Sequence, residues 1–109
     1  MRTRLTSLKE AGRARLDKEE INPLAYALKG VCAESIHLFG SRVAPERRGG
    51  DIDLLVLTSA PAFETAQNIA IRFFSRCEEK IDVVVMNPNQ LTPEQADFLS
   101  RISRIGIAP

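Results

Sequence analysis

At 109 residues the chain holds enough sequence for one domain around a single core and too little for two. Fifteen Lys and Arg against fourteen Asp and Glu leave a net charge of +1, which argues against a strongly electrostatic nucleic-acid binder. With no Trp, one Tyr and five Phe, aliphatic side chains must supply most of the core, while Cys32 and Cys77 are too few and too far apart for a disulfide framework or a zinc site and read as buried thiols on helix faces.

The first residues, Met1-Arg2-Thr3-Arg4-Leu5, lead into charged sequence without an apolar targeting segment, and no stretch approaches about 18 consecutive apolar residues. A soluble, cytoplasmic protein with no membrane contact is the expectation. Thr6 to Arg15 carries few apolar residues among many charges and predicts a surface helix. Asp17-Lys18-Glu19-Glu20 starts a second helix, with Pro23 in its first turns and Leu24, Leu28 and Val31 on its apolar face, so helical sequence flanks the centre of the chain from about 5 to 31. Ser35-Ile36-His37-Leu38-Phe39 reads as a short strand, Gly40 to Gly50 as a loop with Pro45 and Gly49-Gly50, and Asp51 to Leu57 as a second strand. From about Ala62 to Cys77, Phe63, Ala66, Ala70 and Phe73 or Phe74 recur at helical spacing and predict a helix covering the sheet. Ile81 to Met86 is a third strand, and Thr92-Pro93 caps a last helix running from about 92 to 105.

The chemistry concentrates at Gly40-Ser41 and, after nine intervening residues, Asp51-Ile52-Asp53. Side chains alternate along a strand, so Asp-x-Asp sends both carboxylates to one face. Two acids at the head of an apolar strand call for a neutralising cation, and hard oxygen donors suit magnesium or manganese. Asp82, an acid in an otherwise apolar β-branched run, needs a compensating partner too. If its strand lies beside that of Asp53, three carboxylates meet at one end of a sheet. Gly40 lets the backbone leave the strand tightly and lets a phosphate approach main-chain N–H groups, and Ser41 adds a hydroxyl.

Leu38-Phe39-Gly40-Ser41-Arg42, the spacer, Asp51-Ile52-Asp53-Leu54-Leu55-Val56 and Asp82 together resemble the minimal nucleotidyltransferase family of the DNA polymerase β-like superfamily, over approximately Ile36 to Met86. The resemblance implies an α/β fold of the α+β kind, a small mixed sheet flanked by helices, forming a single domain with its motif core at about 35–86. It also implies magnesium-dependent transfer of a nucleoside monophosphate from a nucleoside triphosphate to an acceptor hydroxyl. Many such proteins act as the antitoxin beside a helical HEPN-type toxin, some by adding AMP to a tyrosine of that partner. The loop departs from the family pattern at Val43-Ala44-Pro45 and Gly49-Gly50.

On that reading Asp51, Asp53 and Asp82 are the catalytic and metal-binding residues, with two magnesium ions, and Asp82 also takes the proton of the attacking hydroxyl. Gly40, Ser41 and Arg42 bind the phosphates of the nucleotide, ATP being favoured by resemblance alone. Arg47 and Arg48 are weaker candidates for the same contact. His37 reads as a packing residue on the opposite strand face, and Tyr26 as core or interface packing. Partner surface or self-association is expected to complete the site, since so short a chain leaves little room for a second lobe. The competing reading is a non-catalytic binding module that neutralises a helical partner by contact through apolar faces near its terminal helices. An Asp-x-Asp glycosyltransferase or a phosphohydrolase fits less well, because the chain is short and lacks a nucleophilic Asp motif. The acceptor is left open between a protein hydroxyl, an RNA end and a small molecule.

Overall fold

Residues 3–4, 16–43 and 50–108 are described by a computed structural model. The helix expected at Thr6 to Arg15 and the loop arginines Arg47 and Arg48 lie outside these residues. Helix α1 (Lys18–Leu28) starts at Asp17, whose backbone is extended and whose N–H donates to Glu20 Oε1 at 2.7 Å. This contact is the reciprocal arm of a capping box, and the acids Glu19 and Glu20 also suit the positive end of the helix. Ile21, Leu24, Ala27 and Leu28 are buried along one side, and Glu20 falls among them.

The strands are β1 (Thr3–Arg4), β2 (Ser35–Phe39), β3 (Ile52–Leu57), β4 (Ile81–Met86) and β5 (Arg104–Ala108); a 3-10 turn, Gly40–Val43, follows β2. Helix α2 (Ala62–Phe74) carries the chain from β3 to β4, and α3 (Pro93–Arg101) precedes β5. The sheet runs β1-β5-β2-β3-β4, with β2 antiparallel to β3 and β5, and with β3–β4 and β1–β5 parallel. It is a small mixed sheet flanked by helices, the α+β architecture expected. A parallel pair needs a crossover, and α2 supplies it between β3 and β4. Ile36 and Leu38 of β2 and Ile52, Leu54 and Val56 of β3 alternate onto one face, where they form a single buried cluster with Leu24 and Leu28 of α1 and Ile69 and Phe73 of α2.

Three expectations are corrected. The last helix stops at Arg101 instead of continuing to about Ile105, because Ile102 turns extended (φ −81°, ψ 143°) and Arg104–Ala108 enters the sheet beside β2, His37 opposite Gly106. Phe98, Ile102 and Ile105 mimic a helical stripe, but Ile105 and Ile107 alternate around a glycine, and Ile107 is buried only because the segment is a strand. The covering face of α2 is Ile69 with Phe73, and Phe63 is 77% exposed. The cysteines are not on helix faces: Cys32 follows α1 and is exposed, and Cys77 follows α2 and packs half-buried against the core.

Candidate functional site

Antiparallel pairing puts the C-terminal end of β2 beside the N-terminal end of β3, so the Gly40-Ser41 turn emerges where the acids begin. Phe39 is the register partner of Asp53, and Asp53 is the register partner of Asp82 across the parallel β3–β4 pair. Register partners share a face, so the Asp53 and Asp82 carboxylates stand on the same side of the sheet, on neighbouring strands about 4.8 Å apart. Asp51 sits exposed just before β3. Ile52 and Leu54, flanking Asp53, point into the core on the other face, which explains how an acid can stand near the start of an apolar strand.

The turn and the acid are in close contact. Gly40 has φ +73°, and a Cβ built there would collide with Asp53 Oδ2. Only glycine fits, both for the left-handed backbone and for the space. At the other end of the loop Gly50 has φ +86°, and a Cβ there would collide with Ser41 Oγ. The two ends therefore interlock: Asp53 lies against Gly40, and Ser41 against Gly50. Burial, and then the charges of Asp82 and Asp51, push the Asp53 carboxyl above the ordinary aspartate range, while Arg42 pulls the other way.

Arg42 stands apart from the phosphate role expected of it. It is only 6% exposed, and its guanidinium forks onto Glu20, Nη1 to Oε1 at 2.7 Å and Nη2 to Oε2 at 2.8 Å. Its Nε and Nη2 also donate to the Gly50 carbonyl at 3.3 and 3.2 Å. The hydrogen bond to Glu20 raises the Arg42 pKa further. Glu20 and Gly50 are the residues that sequence reasoning missed. The signal for Glu20 was a carboxylate in helical step with Leu24 and Ala27 on the buried side of α1, and for Gly50 its place directly before Asp51.

Among the described residues no three His, Cys, Asp or Glu side chains are gathered tightly enough to enclose a metal ion. The chemistry of the donors nevertheless fits a hard divalent cation. The acids next to Asp53 are all carboxylates, their mutual repulsion raises its proton affinity, and a cation bound among them would relieve it. His37 donates or accepts through Nε2 at 2.9 Å from Ser35 Oγ, within its own strand. Tyr26 carries two stacked guanidinium groups, those of Arg72 and Arg76, at 4.6 and 3.7 Å from its ring centroid. Neither residue is brought to the acids. A cavity of about 200 Å³ between the end of α1 and α2, lined by Lys29, Val31, Thr65 and Arg72 among others, lies towards the far end of β3.

A family model for the nucleotidyltransferase domain matches residues 24–105, three quarters of the chain. No curated protein matches it. The match spans β2, the turn, β3, α2, β4, α3 and the start of β5, so every predicted site residue lies inside it, and Glu20 lies outside.

Proposed function

The chain belongs to the nucleotidyltransferase domain family, and from that premise we propose that it transfers a nucleoside monophosphate, AMP from ATP, to an acceptor hydroxyl with magnesium as the metal. The observation that carries this reading is the register of Asp53 beside Asp82, with Gly40 packed directly on the Asp53 carboxylate. A triphosphate held by the Gly40-Ser41 turn would thereby come next to a carboxylate whose pKa is raised by burial and by the neighbouring acids Asp82 and Asp51.

Asp51, Asp53 and Asp82 would hold the metal. Magnesium bound there would neutralise charge on the triphosphate and on the phosphoryl group in transfer. Ser41 binds phosphate through its hydroxyl, and the bare Cα of Gly40 leaves room for a phosphate oxygen to approach the main chain. The acceptor oxygen forms a bond to the α-phosphorus, the bond from that phosphorus to the bridging oxygen breaks, and pyrophosphate leaves. The hydroxyl proton passes to a carboxylate oxygen of Asp82. Arg42, engaged with Glu20 and Gly50, is better assigned to holding the turn than to the phosphate.

The proposed partner is a helical protein of the HEPN type, with this chain as antitoxin. Phe63, Ile71 and Phe74 are exposed on α2 and favour a second reading, in which contact with such a partner is the whole function. Among the described residues no helix is long and apolar enough to cross a membrane. Transfer of label from α-phosphate-labelled ATP, measured with the protein encoded next door, decides between the readings. Magnesium-dependent label on that protein, abolished by Asp53→Asn, supports the transferase. An unlabelled but silenced complex supports contact alone, and full activity in Asp53→Asn refutes the metal-ligand assignment.

A further inference from the structure

We infer that Glu20, on α1, is a positioning residue for nucleotidyl transfer, acting through Arg42 to clamp the phosphate turn against the acid-bearing strand; the catalytic half of this inference rests on the function proposed above. One guanidinium joins three separate parts of the chain. Its fork holds Glu20, whose Oε1 also accepts the Asp17 N–H at 2.7 Å and so is fixed to the start of α1. Its Nε and Nη2 hold the carbonyl of Gly50, eight residues along the chain. Arg42 directly follows Ser41, and Gly50 directly precedes Asp51, so the clamp pins both ends of the intervening loop.

The geometry gives the clamp its consequence. Ser41 Oγ lies within clash distance of where a Gly50 Cβ would be, and Asp53 Oδ2 within clash distance of where a Gly40 Cβ would be. The phosphate-binding turn and the carboxylates therefore keep their spacing only while the two loop ends stay together. Both side chains of the pair are nearly inaccessible, 7% for Arg42 and 1% for Glu20, so water does not substitute for the missing partner when one is changed. Lysine at position 42 would keep the charge but lose the planar fork that reaches Glu20 and Gly50 at once.

The test compares Glu20→Gln and Arg42→Lys, well below their melting temperatures, by steady-state kinetics with magnesium ATP and by amide NMR of the protein alone. The clamp predicts that both variants raise KM for ATP by about tenfold, within threefold of each other, and that the double variant is no worse than either single one, because the pair acts as a unit. It also predicts amide shift changes in Glu20→Gln at Ser41, Gly50 and Asp51, more than 20 positions from the substitution. Weak ATP binding in Arg42→Lys with normal binding in Glu20→Gln would mean that Arg42 meets the triphosphate itself, and the inference fails. Normal kinetics in both variants despite lower melting temperatures would reduce the pair to a stabilising contact, and it fails again. If the unaltered protein neither binds nor transfers a nucleotide, the proposed function fails, while shift changes confined to α1 in Glu20→Gln would separately overturn the clamp.

Discussion

Among the described residues two acids are drawn out of water, and they are treated in opposite ways. Glu20 is 1% exposed and has its charge answered in full, by the Arg42 fork and by the Asp17 N–H. Asp53 is half-buried and surrounded by more acid, so that its carboxyl is driven above the usual range. The first arrangement is complete without any visitor. The second stays electrostatically unfavourable despite the opposing pull of Arg42, as the proposed metal site would require.

Breaking the completed pair should have the largest effect. Glu20→Ala takes the carboxylate partner from a buried guanidinium, a change that typically costs about 3–5 kcal/mol. Urea denaturation should show a loss of that order. Replacing both members together by apolar residues of similar volume, Glu20→Leu with Arg42→Met, should recover most of it, because the desolvation of both charges disappears at once. If the double variant is as unstable as Glu20→Ala alone, the links to Gly50 and Asp17, and not the ion pair by itself, carry the stability.

The contact between the two loop ends and the acids can be sharpened next. Gly40→Ala imposes a left-handed backbone on a residue with a Cβ, about 1–2 kcal/mol, and drives that Cβ into Asp53 Oδ2. The steric part belongs to the pair. Asp53→Ala should therefore rescue part of the Gly40→Ala defect in a double-mutant cycle, leaving only the backbone strain. Additive losses in that cycle would show that Gly40 and Asp53 do not meet.

Much of this was legible in the sequence. The strands at Ser35–Phe39 and Ile81–Met86 stand between clear breakers and have the predicted bounds, whereas the pairing of β4 with β3, only a condition in the sequence reading, is given by the structure. What failed shares one physical origin: periodicity says which residues form a face, not what that face meets. Phe63 and Phe73 both fit a helical stripe, yet the sheet covers Phe73 and leaves Phe63 in solvent. Ile102 and Ile105 fit a helix until β2 offers Arg104–Ala108 a partner strand. Arg42 follows the Gly40-Ser41 turn directly, but the acid that claims it is 22 residues away on α1. No local rule pairs residues over that distance, whereas the strand that carries Asp53 and the turn at Gly40-Ser41 are set by local sequence, and those elements could be read.

The smallest effect has an informative sign. Because the folded-state pKa of Asp53 is raised, the fold binds its proton more tightly than the unfolded chain does. Its contribution is therefore favourable at pH below the ordinary aspartate range and is lost as pH rises through the raised value. Asp53→Asn removes this titration. In protein stripped of metal, the variant should melt above the unaltered chain at neutral pH, and the gap should close on acidification to below about pH 4. Magnesium or manganese should then reverse the order, because a ligand bound only by the folded state stabilises by about 2.7 kcal/mol at a hundred times its Kd, and the variant has lost a donor. Thermal melts of both proteins across pH, with and without the cation, carry the whole comparison. A metal-free variant that is less stable at neutral pH would mean that Asp53 is answered in the fold as Glu20 is, and that the contrast between the two acids is not the mark of the site.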